Sequence, residues 1–330
     1  MEPKSDYNIV TSGDGLHLGG SILWLDSRSA GGLSFLSSAS RDRPDKGPQI
    51  IATEETLKIL ETYKKKPNAL VCQYNRPFSI GKLRMELLPS GSMLGGASLY
   101  VETDHKKILY APTLQTQKVP TVRQMQLKKA STLILRAQYP DPNFQAPNRK
   151  KEKERLLETV TRLLSRDTYP IILCNPHTGA QELTQFLIES RIPVAVHPSI
   201  QKIHRVYEAY GPSLGDYSLY SARHTKKKVL IFPIREFSRG RKRRPLPEAP
   251  VIIVEDSPGE SVETAFFREI ADRFHISSDC DGRDLRDVIT TVSPKEIYLF
   301  GPYIRQYAEE LKNTGVKPKL LFPNQQPTLF

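Results

Sequence analysis

Hydroxyl side chains, a carboxylate and a guanidinium are concentrated in one loop of the sequence. The segment GLSFLSSASRDRP carries Ser38, Ser40, Asp42 and Arg43. A serine hydroxyl becomes a nucleophile only beside a base, and no His or Lys base is identifiable next to these serines. A guanidinium stays protonated and forms charge-assisted hydrogen bonds to phosphate. The loop therefore favours anion binding by Arg43 over nucleophilic catalysis, and pairing of Arg43 with Asp42 or Asp26 is the alternative.

Residues that could hold a metal ion are scattered along the chain. Cys72, Cys174 and Cys280 are widely spaced and form no CxxC pair. The seven histidines show neither HxH nor HExxH spacing. Asp42 and Cys280 alone offer too few ligands for a structural or catalytic zinc. The sequence therefore predicts no bound metal, no cofactor and no disulfide scaffold, which suits a reducing cytosol.

The chain is strongly basic. Its 330 residues include 48 Lys and Arg against 36 Asp and Glu, a formal net charge of +12. A phosphate backbone is the commonest partner of such a surface, because binding releases condensed counterions. A merely solvated basic surface is the alternative. Much of the excess lies in four clusters: Lys64–Lys66, Arg149–Arg155, Lys226–Lys228 and Arg239–Arg244.

Hydrophobic patterning predicts a mixed α/β chain. The first 140 residues consist of short apolar runs separated by turns, with one helix near residues 54–65 and Thr53 as its N-cap. Strands and helices then alternate, which predicts a parallel, Rossmann-like sheet. Helices are expected over residues 261–274, 282–292 and 304–315, with strands over 296–301 and 317–323. No run approaches the roughly 18 apolar residues that a membrane span needs.

Three short sequence motifs occur in a characteristic order along the chain. Leu88–Ala97 reads LPSGSMLGGA, Thr178–Leu183 reads TGAQEL, and Val206–Gly211 reads VYEAYG. In order and spacing they resemble the bacterial ligase-associated DNA exonucleases and their β-CASP relatives, nucleases of the metallo-β-lactamase fold. The resemblance implies an αββα sandwich with an inserted Rossmann-like β-CASP cap. It divides the chain into sandwich residues 1–150, cap residues 151–255 and sandwich residues 256–330.

The resemblance also implies where two zinc ions would be bound in active relatives, by a HxHxDH loop, further histidines and a bridging Asp. None of the ligand histidines is kept, and a guanidinium cannot coordinate a metal. We therefore expect no catalytic residue and no metal-dependent hydrolysis. The residues that stand at the ligand positions are Ser38, Ser40, Asp42, Arg43, Ser92, Thr113, Cys280 and Phe300.

The resulting expectation is a catalytically inactive, cytoplasmic protein that binds nucleic acid, DNA in preference to RNA. It would act as a scaffold or regulatory subunit in DNA repair or end processing, with a DNA ligase, a helicase or an active nuclease as partner. Two alternatives stay open: a divergent hydrolase with unidentified catalytic residues, and an assembly protein that contacts an active nuclease but no nucleic acid. The predicted nucleic-acid contacts are Arg43, Arg136 (at the position of a β-CASP acidic residue), His177, Lys226, Lys227, Lys228, Arg239, Arg241, Lys242, Arg243 and Arg244.

Overall fold

The described part of the chain is a mixed α/β structure, as the sequence predicts. A computed structural model describes residues 7–12, 15–27, 32–40, 49–139, 141–223, 225, 227–234, 248–256, 267, 269–313 and 317–321. Within these ranges six helices and three sheets are formed. None of the helices in these ranges is long and apolar enough to cross a membrane.

The helices lie close to their predicted positions. Thr53 caps the first one, because its hydroxyl accepts a hydrogen bond from the Thr56 amide at 3.2 Å. Such a cap satisfies one of the amide donors that the first turn leaves open. The helices are α1 (Glu54–Glu61), α2 (Arg149–Leu164), α3 (Gly179–Glu189), α4 (Pro198–Tyr210), α5 (Gly282–Val292) and α6 (Ile304–Asn313).

The strands are short, as the frequent turn residues predict. In chain order they are β1 (Ile9–Ser12), β2 (Gly15–Leu18), β3 (Leu23–Leu25), β4 (Leu33–Phe35), β5 (Gln49–Ala52), β6 (Ala69–Val71), β7 (Phe78–Ile80), β8 (Leu83–Pro89), β9 (Ala97–Glu102), β10 (Lys107–Ala111), β11 (Thr132–Arg136), β12 (Ile171–Cys174), β13 (Val194–Val196), β14 (Ser218–Leu219), β15 (Val229–Pro233), β16 (Val251–Glu255), β17 (Ile270–His275), β18 (Glu296–Phe300) and β19 (Lys319–Leu320).

Two of the sheets pack face to face and form what we call the two-sheet unit. The first has the order β1-β2-β3-β4-β5-β6, and the second has the order β19-β18-β11-β10-β9-β8-β7. Side chains from both, such as Phe35 and Met85, share one buried core. Helix α1 covers the outer face of the first sheet, and α5 and α6 cover the outer face of the second. The layers therefore run helix, sheet, sheet, helix.

The third sheet belongs to what we call the parallel-sheet unit. Its order is β14-β13-β15-β12-β16-β17, and all its pairs are parallel. Alternate residues of β12 enter two different cores: Ile172 and Cys174 pack with α2 and α3, while Ile171 and Leu173 pack on the opposite face. Burial on both faces explains the continuous apolar strands. In the chain this unit lies between β11 and β18, which are neighbours in the second sheet.

One predicted element is wrong. The sequence predicts a helix over residues 261–274, but Ile270–His275 form β17 at the edge of the third sheet. Pairing with β16 and burial of Phe274 outweigh the local helical pattern. As a consequence the parallel sheet continues to His275, past residue 255, where the sequence places the end of the cap.

Gly95 makes the closest approach between α1 and the loop that follows β8. Its φ is +77°, and a Cβ there would lie 2.5 Å from the Thr56 amide nitrogen. The Gly95 carbonyl also accepts hydrogen bonds from the hydroxyls of Thr53 and Thr56, each at 2.8 Å. This loop is therefore fixed to the start of α1 by backbone contact that a larger residue would disrupt.

We predict that Gly95→Ala lowers the free energy of unfolding by about 3 kcal/mol or more, because it combines left-handed strain with a backbone clash. Gly81→Ala is the matched control, since Gly81 also has a positive φ, +58°, but nothing lies within 4 Å of its Cβ position. The control should lose only about 1 kcal/mol. Urea unfolding measures both. Equal losses would contradict the close packing of this loop.

Candidate functional site

The loop after β4 is held by a carboxylate and not by a metal-ligand array. Asp26, which follows β3, accepts hydrogen bonds from the Ser37 amide at 2.7 Å and the Ser37 hydroxyl at 2.6 Å. The Tyr110 hydroxyl donates to the same carboxylate at 2.8 Å. Ser38 is fully buried, and its Oγ lies 2.9 Å from the Oγ of Ser40. The two hydroxyls at the expected positions of histidine ligands therefore bond to each other.

The loop after β8 repeats this pattern. Ser92, at another ligand position, is 4% exposed, and its Oγ lies 2.9 Å from the Oγ of Ser90. The Gln115 amide donates to the Ser90 carbonyl at 3.0 Å, which holds the loop against the segment that contains Thr113. Neutral hydroxyls are poor zinc ligands, and here they already have hydrogen-bond partners in each other.

Cys280 is buried in an acidic environment. Burial raises the pKa of its thiol well above the ordinary value, and the nearby carboxylates of Asp284 and Asp279 raise the pKa further. Metals bind the thiolate and not the thiol. In the absence of a nearby cation the side chain of Cys280 is therefore held in its protonated form.

Phe300, at another expected ligand position, and Arg136 lie side by side on β18 and β11. Arg136 pairs with Phe300 in the parallel register of these strands. The ring of Phe300 stacks on that of Tyr110, with centroids 5.7 Å apart. Phe300 thus contributes packing at the position where the resemblance implies a histidine ligand.

The structure brings most of the replaced positions onto connected loops. The Ala97 amide donates to the Ser37 carbonyl at 2.8 Å, which joins the loops after β4 and β8. The Gln115 side chain then donates to the Ser277 carbonyl at 2.8 Å, close to Cys280 in the chain. Among the described residues, no group of three or more His, Cys, Asp or Glu side chains could hold a metal ion. The donor set that is present does not fit a zinc pair.

Several predicted residues lie elsewhere. Lys227 is exposed, 3.8 Å from the Asp167 carboxylate, and Lys228 donates to the Ser218 hydroxyl at 2.8 Å. Both precede β15, at the amino ends of the parallel strands, whereas His177 follows β12 at the carboxyl ends. One phosphate group cannot bridge the two edges. Predicted residues that lie outside the described ranges are Asp42, Arg43, Lys226, Arg239, Arg241, Lys242, Arg243 and Arg244.

His177 lies where α1 meets the start of α3. Its imidazole is 4% exposed, and its Nε2 lies 2.7 Å from the Tyr63 hydroxyl. The Asn175 side chain accepts a hydrogen bond from the His177 amide at 2.9 Å. The Tyr207 hydroxyl donates to the His177 carbonyl at 2.5 Å and accepts from the Leu94 amide at 3.0 Å. Tyr207 therefore joins the parallel-sheet unit to the loop that carries Ser92, and His177 joins the same unit to Tyr63.

A buried ion cluster was missed from sequence. The Arg149 guanidinium donates to the Glu182 carboxylate at 3.0 and 2.8 Å through Nε and at 2.5 Å through Nη2. Lys153 Nζ lies 2.8 Å from the same carboxylate. Arg149 opens one of the basic clusters of the sequence, yet it is 6% exposed. The signal in the sequence was the polar start of TGAQEL. Glu182 in this segment is buried, and a buried carboxylate is stable only beside a cation.

The same cluster connects the two units. The Arg149 guanidinium donates to the Ser277 carbonyl, the group that also accepts from Gln115. The Arg149 amide donates to the Gln117 side chain at 3.0 Å. Burial alone raises the pKa of Glu182, but the charges of Arg149 and Lys153 outweigh it and hold that pKa below its ordinary value. Glu182 is therefore ionised in the folded protein.

Comparison with known proteins finds a sequence relative and a similar fold, both at low sequence identity. No family model matches the sequence. Over 313 residues the chain is 22% identical to a protein of Opitutus terrae described as "Probable DNA ligase". That match covers 92% of this chain but 30% of the relative, so the chain spans less than a third of the relative's length. A solved protein of unknown function from Enterococcus faecalis V583 is similar in fold, with TM-score 0.62 and 14% identity over 88% of this chain and 79% of its own.

We predict that Glu182→Gln lowers the free energy of unfolding by about 3 kcal/mol or more at neutral pH, because Arg149 and Lys153 lose their counter-charge. The folded-state pKa of Glu182 is depressed, so its contribution is present above the unfolded-state pKa and is lost as pH falls through the folded-state value. The wild type should thus lose stability on acidification more steeply than the variant.

Urea unfolding at a series of pH values checks this expectation. The exposed carboxylate of Glu158 on the same helix as Arg149 provides the control, and Glu158→Gln should change stability by less than about 0.5 kcal/mol. Parallel pH profiles for the wild type and Glu182→Gln would show that the cluster does not carry the charge assigned to it.

Proposed function

We propose that this chain is a nuclease-like protein that binds nucleic acid without cleaving it. Its architecture would be a metallo-β-lactamase-type αββα sandwich with an inserted Rossmann-like β-CASP cap. The layering of the two-sheet unit and the insertion of a parallel sheet between β11 and β18 support this assignment. The similarity to a solved fold supports a shared architecture, and the nuclease type rests on the sequence motifs.

The hydroxyl pairs are the observation that carries the proposal. Ser38 bonds to Ser40 and Ser92 bonds to Ser90 at positions where active relatives would need imidazoles. A two-metal mechanism requires charged or imidazole ligands to bind the cations and lower the pKa of a bound water. A buried neutral thiol at Cys280 and a packed ring at Phe300 supply neither function. With these side chains, the function we propose is binding of the nucleic-acid phosphate backbone without its hydrolysis.

Charge and the curated relative favour DNA as the target. The net charge of +12 favours a polyanionic partner. The relative is described as a "Probable DNA ligase", which supports a role in DNA repair or end processing. That relative is more than three times as long as the matched segment. We propose that the chain serves there as a scaffold or regulatory subunit, with a ligase, a helicase or an active nuclease as its partner.

Salt-titrated binding tests this proposal. Affinity for labelled single-stranded DNA, duplex DNA and RNA should fall linearly on a log–log plot between about 50 and 200 mM salt, because each neutralised phosphate releases counterions. DNA should bind more tightly than RNA of the same sequence. No cleavage product should form with or without added zinc. Arg43→Ala should reduce the slope by about 0.7 to 0.9, the share of one neutralised phosphate.

Arg84→Ala is the matched control, because Arg84 is an exposed arginine at the start of β8, remote from the loop that follows the strand. It should leave the slope unchanged. An affinity that does not respond to salt, or no binding at all, would instead favour an assembly protein. Cleavage that survives chelator and is lost in Asp42→Ala would favour the divergent hydrolase.

A further inference from the structure

Tyr63 presents an aromatic ring in a fixed orientation at the surface. It follows α1 and is 41% exposed. Its hydroxyl is hydrogen-bonded to the buried His177 imidazole, and the two rings meet edge to face, with centroids 5.7 Å apart at 71°. A ring held at its hydroxyl end loses little further rotamer freedom when a ligand stacks on it.

Three consecutive lysines follow this ring in the chain. Lys64, Lys65 and Lys66 are all exposed, and Lys64 adopts a positive φ of +60° that turns the chain at the end of α1. The carboxylate of Glu61 on the last turn of the helix lies 3.2 Å from the Lys58 ammonium. Three exposed lysines therefore follow Tyr63 directly in the chain. We call Tyr63 and Lys64–Lys66 the aromatic–lysine turn.

We infer that the aromatic–lysine turn is a binding site for single-stranded nucleic acid. An unpaired base stacks on Tyr63, and the adjacent phosphates are neutralised by the lysines. This combination of an aromatic face and basic side chains is how proteins hold single strands without sequence preference. A base inside a duplex is already stacked on its neighbours and cannot use the ring. The inference rests on the proposed function and names the form of nucleic acid bound at this place.

The turn lies near the loop with the replaced ligand positions. Tyr63 bonds to His177, whose carbonyl is joined through the Tyr207 hydroxyl to the Leu94 amide. Leu94 belongs to the same loop as Ser92. A strand held on Tyr63 would thus be placed at the junction of the two units.

A purely structural role makes different predictions. Lysines after a helix also stabilise its C-terminal dipole, and the Tyr63 hydroxyl joins the two units. Removing either would then change the unfolding transition but leave the affinity for nucleic acid unaffected.

Matched substitutions separate the two roles. Tyr63→Ala should weaken binding of single-stranded oligothymidylate at least about fivefold, the effect of removing one stacked base, and leave binding of a blunt duplex unchanged. Tyr63→Phe keeps the ring and should retain most of the single-strand affinity. Tyr210→Ala is the control, because Tyr210 is also exposed, at 37%. Its surroundings differ, since burial and the carboxylates of Glu54, Glu55 and Glu61 raise the pKa of Tyr210 to about 12. A tyrosine among carboxylates should not attract phosphate, so the control should bind as the wild type does.

The lysines give an independent measurement. Replacing Lys64, Lys65 and Lys66 by alanine should lower the salt slope for the single strand by about 0.7 for each phosphate that is no longer neutralised. If Tyr63→Ala does not fold, as judged by urea unfolding, the lysine variant decides the matter. An unchanged slope in the lysine variant, or equal losses in Tyr63→Ala and Tyr210→Ala, would overturn the inference. Absence of wild-type binding to any nucleic acid would instead overturn the proposed function.

Discussion

The carboxylate of Glu182 is buried where the two units meet, and the fold depends on its neutralisation there. Isolated charges are very costly to bury, so α2 must bring Arg149 and Lys153 to the first turn of α3. Arg149 also reaches the Ser277 carbonyl, which Gln115 of the two-sheet unit shares. One buried charge thereby fixes the position of the parallel sheet relative to the loops that follow β10 and β17.

The loops that follow β4 and β8 carry paired hydroxyl side chains. In a metal-dependent hydrolase, mutual repulsion among closely spaced ligands is balanced by the cation. Here Ser38, Ser40, Ser90 and Ser92 form neutral pairs that need no cation, and Asp26 is occupied by Ser37 and Tyr110. The site is stable with the groups it has. We propose that basic and aromatic groups at the junction, such as those of the aromatic–lysine turn, bind a phosphate backbone without a metal ion.

Much of the architecture could be predicted from the sequence, because periodicity reports burial directly. Apolar runs and alternating helices predicted the parallel sheet, and Thr53 was recognisable as a cap. Strand β17 could not be predicted, since its helical pattern is overridden by pairing with β16. For the site, the exchange of ligand types that the resemblance implies stays a prediction. The burial of Arg149 could not be predicted, because a run of basic residues gives no sign of which member faces a carboxylate, and the Tyr63–His177 contact joins residues 114 positions apart.

We propose that the loops after β4 and β8 hold no metal, and elemental analysis of the purified protein tests this most directly. The protein should be incubated with excess zinc, freed of unbound ions and assayed for zinc and manganese by mass spectrometry. The hydroxyl pairs predict that neither metal is retained in stoichiometric amount, because neutral serine hydroxyls that bond to each other are poor metal ligands. Stoichiometric zinc that is lost on substitution of Asp42 or Cys280 would contradict this account and establish a metal site at these loops.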